Sequence, residues 1–385
     1  MRIVPLEEIA ARALNNVVKG RSLKSYLERE YRRLGIPDRA RPVLVGLVSN
    51  VARRWMVLSY LLEEERERPP KGFSKWLKLV IAYQAVFRKV PYEKLKVKAE
   101  KEWYEEMLKV EPEDLEREFG PRVFRSVPKW AWREIAKVAE PIAFVDSLDF
   151  REHFWIRVRD PKVIKRLKEL RLELEESELP DVFKAKGPMR VLITTKLHPK
   201  KVIIMEKASA WIAHLTEGKV LDLTSAPGGK ALHAQDLGRI VVANDIDPKR
   251  FAFREIERVA GDARRGPFRR AFDTVILDPD CTGIGRLHSP ESRLWLAMTS
   301  KEKMAEYQRE LIRASIKYLK KGGRLIYSTC TITYEENEGH EKLMNELGLR
   351  AVEVEVASPG FKRGWRRFLP NVHGTIGFTL TVHEF

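Results

Sequence analysis

From about residue 206 onward, short runs of β character alternate with runs of helical period, and this alternation restricts the fold more than any other feature. Val220–Leu223, Ile240–Asn244, Thr274–Leu277, Arg324–Tyr327 and Phe378–Val382 read as strands. Ala208–Leu215, Ala231–Leu237, Pro248–Val259 and Met304–Tyr318 read as helices between them. Such an order buries a sheet between two helical layers. It predicts an α/β, doubly wound, mostly parallel sheet that binds its ligands at the carboxyl ends of the strands.

The preceding chain has other periods. In residues 1–147, Leu6, Ile9, Ala10, Ala13 and Val17 share one helical face that Gly20 ends. Arg41–Leu62 and Lys75–Phe87 repeat the pattern, and Pro69-Pro70, Pro91 and Pro121 separate the pieces. An all-α domain follows. In residues 148–207, Phe154–Val158, Val182–Ala185, Met189–Ile193 and Lys201–Met205 read as strands, with a Lys- and Leu-rich helix after Asp160-Pro161. That is a small α+β module ahead of a third domain, residues 208–385.

Charge points to the partner. A net charge of +17 exceeds what a solvated surface of mixed charges needs, and favours a polyanion such as RNA. The basic residues cluster at Arg32-Arg33, Arg53-Arg54, Lys162 to Lys168, Arg264-Arg265 with Arg269-Arg270, and Lys362-Arg363 with Arg366-Arg367. No apolar run approaches the ~20 residues of a membrane span, and the N-terminus lacks a signal-peptide core. We therefore expect a cytoplasmic protein, a monomer with no membrane partner. Two cysteines, Cys281 and Cys330, cannot fill a structural zinc site without several histidines, so no metal is expected.

The first strand of the α/β region runs into Thr224-Ser225-Ala226-Pro227-Gly228-Gly229-Lys230. Glycines there let backbone approach a ligand at a helix N-terminus, but neither the Walker nor the three-glycine dinucleotide spacing is present. A cofactor with an amino-acid tail suits this loop better than one with a pyrophosphate. Asp245 ends the second strand, where an acid takes ribose hydroxyls, and Asp262 stands where the third should end, placed for an adenine amino group. Asp278 and Cys281 follow the fourth strand, and Cys330 follows the fifth. Both thiols thus fall at the mouth of one expected pocket.

These residues resemble the Sun (Nol1/Nop2/Sun, Fmu) family of RNA cytosine-5 methyltransferases. Asp222 with Ala226–Lys230 is similar to the family's first motif, Asp278–Gly283 to its first cysteine box, and Thr329–Thr331 to its second. Glu335-Glu336-Asn337, the His288…Pro290…Trp295 segment and Arg367–Phe378 also match its pattern. The helical domain resembles the NusB-like domain of some ribosomal-RNA members. The resemblance implies a Rossmann-like class I methyltransferase domain with a seven-stranded sheet, and S-adenosylmethionine bound by residues 224–230, Asp245, Asp262 and Asp278.

It also implies roles. Cys330 adds to carbon 6 of cytosine so that carbon 5 can take the methyl group, Cys281 assists release of the adduct, and Asp278 bonds the extruded base. Lys230 is a candidate to stabilise the Cys330 thiolate. The chain departs from the pattern at Asp280, where most members have proline, and a carboxylate there is expected to raise the Cys281 pKa. Ribosomal RNA is the favoured substrate and tRNA the second. The rivals are a catalytically silent ribosome-assembly factor, a redox pair of cysteines, and an amino-group methyltransferase. The last is disfavoured because Cys281 stands where an aromatic residue belongs.

Overall fold

The computed structural model describes residues 4–64, 67–266, 268 and 272–385. Arg269 and Arg270 of the basic clusters lie outside the described residues, as does the start of the N-terminal segment. The chain forms two compact units: Met1–Val145 with Thr282–Ser300, and Asp146–Cys281 with Lys301–Phe385. No helix among the described residues is long and apolar enough to cross a membrane.

The first unit is helical. Leu6–Val18, Leu23–Leu34, Arg41–Leu61 and Phe73–Val86 enclose Ile9, Leu14, Val48, Trp55, Leu58, Trp76 and Leu79, all nearly or fully buried. Ser22 caps the second helix by accepting from Ser25 N–H, and Gly35 closes it in the left-handed conformation that glycine adopts at little cost. Helix Pro290–Leu296, from far along the chain, folds with these helices. Leu294 enters their core, the Trp295 indole donates to the Val17 carbonyl at 2.8 Å, and Glu291 accepts from Leu23 N–H at 2.8 Å.

In the second unit, β1 (His153–Val158), β2 (Glu173–Glu176), β3 (Val182–Lys186) and β4 (Val202–Ile204) make an antiparallel sheet in the order β2-β3-β1-β4. Ile156, Leu167, Leu192 and Val202 fill its core. Met189–Ile193, expected as a strand, belongs instead to the helical turn Arg190–Thr194. Leu192 is buried while Met189 and Ile193 face solvent, so no sheet face exists for the run to cover.

The larger sheet contains β5 (Lys219–Asp222), β6 (Ile240–Asp245), β7 (Glu257–Ala260), β8 (Phe272–Leu277), β9 (Leu319–Thr329), β10 (Arg350–Val352), β11 (Ser358–Pro359), β12 (Trp365–Phe368) and β13 (Phe378–Glu384). Its order is β11-β12-β13-β9-β8-β5-β6-β7, with β10 also paired to β13. The pairings among β7, β6, β5, β8 and β9 are parallel, and those of β13 to β9, β10 and β12 and of β12 to β11 are antiparallel. The strand count rises from the expected seven to nine through β10 and β11, of three and two residues, too short to show a period.

A second difference lies between β6 and β7. The expected helix Pro248–Val259 is a single 3-10 turn, Pro248–Arg250, followed by irregular, bent chain into β7. Phe251, Phe253 and Ile256 point at the glycine loop rather than forming a helical stripe, and Ala252 N–H donates to the Pro227 carbonyl at 3.0 Å. Tertiary contact with that loop outweighs helix propensity here.

Candidate active site

The parallel order places the carboxyl ends of β5, β8 and β9 side by side, and the residues leaving those ends form one cluster. Gly228 has φ 99°, and a Cβ there would lie 2.8 Å from Ile256 Cδ1, so the turn admits glycine alone without strain. The loop is fixed by Ser225 N–H donating to the Asn244 carbonyl and Ala226 N–H donating to Asp245 Oδ2, at 2.8 and 3.0 Å. Asn244, whose amide bonds the Leu223 and Gly261 carbonyls, ties the ends of β5 and β7 together.

Lys230 Nζ meets Asp278 Oδ2 at 2.5 Å, and Ser328 Oγ donates to Asp278 Oδ1 at 2.9 Å. Thr224 Oγ1 accepts from Asp278 N–H at 3.1 Å. Burial opposes the Lys230 charge, but Asp278 and Asp222 beside it override that and push its pKa up. Lys230 is therefore held as a cation, and Cys330 is among the groups that favour its charge.

Cys281 and Cys330 lie with Sγ atoms 3.0 Å apart, hydrogen-bonding distance and far longer than a disulfide bond. The hydrogen bond to Cys330 and burial push the Cys281 thiol well above its ordinary value, with Cys330, Glu336 and Asp278 adding charge of the same sign. Asp280, the expected cause, is exposed. Its carbonyl accepts from Gln308, whose amide also reaches Glu336 Oε1 at 3.2 Å. Glu336 takes Thr333 Oγ1 at 2.8 Å, and Asn337 Oδ1 takes Thr329 Oγ1 at 2.8 Å, so the acid-acid-amide triplet holds the loop that follows Cys330. Ser328 and Gln308 escaped sequence reading. Ser328 neighbours the second cysteine box, but a single glutamine on the charged helix Lys301–Ser315 gives no signal that it is buried.

Of the expected cofactor residues, the loop 224–230 meets Asp245 through Ala226 N–H and Asp278 through Thr224 and Lys230. Asp262 follows Gly261 just past the end of β7, and its carboxylate is paired with Arg264 at 2.9 Å. Asp222 Oδ1 is buried with no hydrogen-bond partner, and such a group is costly unless a donor arrives. An ammonium group on a ligand held by the glycine loop would meet that need, so the donor set fits a cofactor with an amino-acid tail.

Burial pushes the Asp222 carboxyl up to about 7, against the pull of Lys230. Its unfolded value is the lower one, near 3.8, so the unfolded chain gives up this proton first and the group's contribution to stability falls as pH rises from about 4 to about 7. Asp222→Asn is expected to remove that part of the slope. Denaturant midpoints at pH 5 and pH 7 check this, and an unaltered pH dependence in the variant contradicts it.

Asp181, His214 and His233 also converge, at 2.8 and 2.7 Å from carboxylate oxygens to imidazole Nε2 atoms. Burial alone would raise Asp181, but the two imidazoles hold it well below the carboxylate range. A metal-bound imidazole needs its second nitrogen held by a partner, and His233 Nδ1 is buried without one. The group is a hydrogen-bonded tie between the start of β3 and helices Lys207–His214 and Gly229–Asp236.

The profile of the family described as 16S rRNA methyltransferase RsmB/F matches residues 210–381, the stretch that holds this whole cluster. Residues 210–381 are a methyltransferase domain of that family. A tRNA (cytosine(72)-C(5))-methyltransferase of Pyrococcus horikoshii is 36% identical over 178 residues, which cover 41% of this chain and 45% of that relative. Ribosomal RNA small subunit methyltransferase B of Escherichia fergusonii is 24% identical across 97% of both chains. Among solved structures, that of PH0851 has a TM-score of 0.77 at 23% identity, over 99% of each chain. NSun6 from Pyrococcus horikoshii with SFG has a TM-score of 0.56 at 22% identity, covering 67% of this chain and 98% of that one. The two structures share the fold of the parts of this chain that they cover.

Proposed function

We propose that this protein methylates carbon 5 of a cytosine in RNA, with S-adenosylmethionine as donor and ribosomal RNA as substrate. The observation that carries the reading is the pair of thiols 3.0 Å apart beside the Lys230–Asp278 ion pair, at the ends of adjacent parallel strands. Cys330 Sγ forms a bond to carbon 6, and the electron pair of the 5,6 double bond moves toward carbon 5. The cofactor, when bound, supplies the electrophilic methyl group. Residues 224–230 would hold it, with Asp222 toward its ammonium end, Asp245 toward the ribose and Asp262 toward adenine once released from Arg264. Lys230 stabilises the Cys330 thiolate before attack. Water takes the proton from carbon 5, that C–H pair re-forms the 5,6 double bond, and the carbon 6–sulfur pair leaves on Cys330, which Cys281, kept as a thiol by its surroundings, steadies by a hydrogen bond. Asp278 accepts from the exocyclic amine of the extruded base.

The helical domain of residues 1–147 and the module of residues 148–207 are RNA-holding parts in this reading, working with the basic clusters through phosphates. We place the protein in the cytoplasm as a monomer without a metal. The full-length match to a ribosomal-RNA relative favours ribosomal RNA, while the 36% identity to a tRNA enzyme over the catalytic region favours tRNA as the second reading. Bisulfite sequencing of both RNAs from cells with and without the gene separates them. The proposal expects one cytosine in ribosomal RNA to lose protection without the gene. Protection lost in tRNA instead moves the substrate to the second reading, and no change in either RNA overturns the activity.

A further inference from the structure

Tyr334 and Phe361 form an exposed aromatic pair in the neighbourhood of Cys330 that no step above employs. They are 38% and 48% exposed, with ring centroids 6.3 Å apart and a 50° tilt. Lys362 Nζ lies 5.6 Å from the Tyr334 centroid, and Arg367 Cζ 4.1 Å from that of Phe361. Both positions are held by backbone. The Tyr334 carbonyl accepts from Asn337 and Gly339 N–H at 3.1 and 2.8 Å, and Phe361 N–H donates to Glu338 Oε1 at 2.9 Å. Tyr334 lies four positions after Cys330, so its Cα sits within roughly 14 Å of that of the proposed nucleophile.

Solvated aromatic rings on fixed backbone, flanked by cations, have the composition of a platform for unpaired nucleotides. A protein partner would leave Lys362 and Arg363 to be desolvated, whereas a phosphate backbone neutralises Lys362 and can take the place of Glu353, now 2.8 Å from the exposed Arg363 guanidinium. An RNA base extruded into a pocket leaves neighbours that have lost a stacking partner, and a nearby ring replaces it. We infer that Tyr334 and Phe361 stack the unpaired nucleotides flanking the target cytosine, and that Lys362 and Arg363 hold their phosphates. The inference rests on the proposed RNA methylation.

The test measures methyl transfer to RNA from cells lacking the gene, for the wild-type chain, Tyr334→Ala, Phe361→Ala and Tyr334→Phe. Each alanine variant is expected to raise KM for RNA by about tenfold, with the loss carried by KM rather than kcat. Tyr334→Phe keeps a ring and is expected to stay near the wild type. Unaltered KM in both alanine variants overturns the inference, as does a Tyr334→Phe loss equal to that of alanine, or a shift in oligomeric mass as the main effect. A lowered unfolding midpoint in an alanine variant with KM unchanged also overturns it, because the rings would then be structural. No transfer by the wild-type chain defeats the underlying activity instead, so the two failures are distinguishable.

Discussion

Cys330→Ala is expected to abolish methyl transfer, a loss on the order of 10³-fold or more, because the thiol that remains, Cys281, is held protonated by its surroundings and is a poor nucleophile toward carbon 6. Cys281→Ala is expected to behave differently. It keeps the attacking sulfur but loses the 3.0 Å partner that steadies it on departure, so the RNA should remain bonded to the protein. A denaturing gel of each variant after incubation with RNA and S-adenosylmethionine reads the difference as a slower, label-carrying band. The band should appear with Cys281→Ala, fade after prolonged turnover in the wild type, and be missing with Cys330→Ala. A Cys330→Ala protein that still methylates, or a Cys281→Ala protein with rapid turnover and no band, contradicts these roles.

Arg367→Met is expected to be among the most destabilising changes in the domain. Arg367 and Glu338 are 2% and 0% exposed, and the guanidinium meets Glu338 Oε2 at 2.6 Å. Burial pulls the Arg367 pKa down, and the charge and hydrogen bond of Glu338 oppose that pull. Removing one member leaves a buried carboxylate with a single backbone donor, Phe361 N–H, at a cost of about 3–5 kcal/mol. Replacing both, as Arg367→Met with Glu338→Gln, should recover most of that loss, since no charge remains to desolvate. Chemical denaturation of the single and double variants measures it, and a single-variant loss under about 1 kcal/mol sinks the argument. Because Arg367 also reaches the Ile332 carbonyl, the single variant should loosen the loop after Cys330 as well.

The loop from Thr224 to Lys230, the strand that precedes it and the two cysteine boxes were legible because each is a local pattern. A β-type run must stop, a glycine must take a left-handed turn, and a thiol must follow a strand within a few residues. That the strands run mostly parallel followed from alternation for the same reason, while their order in the sheet did not. Where contacts between distant segments decide the outcome, the sequence misled or was silent. Pro248–Val259 carries a helical pattern, yet Phe251, Phe253 and Ile256 gain more by packing on the glycine loop. Helix Pro290–Leu296 gives no local sign that it folds with Val17 and Leu23, more than 260 residues earlier.

The electrostatics divide in the same way. An acid beside Cys281 suggested that Asp280 raises its pKa, but sequence neighbours on an exposed turn point outward. Cys330, Glu336 and Asp278 face the thiol instead. Sequence by itself determined which thiols and acids the chain carries and which strand each one follows, because period, turn chemistry and chain order are local properties. Tertiary structure alone decided that the two sulfurs touch, that Lys230 meets Asp278, and that Asp222 is left buried with an unmet oxygen. Distance and burial depend on segments brought together from across the chain, and no local pattern encodes them.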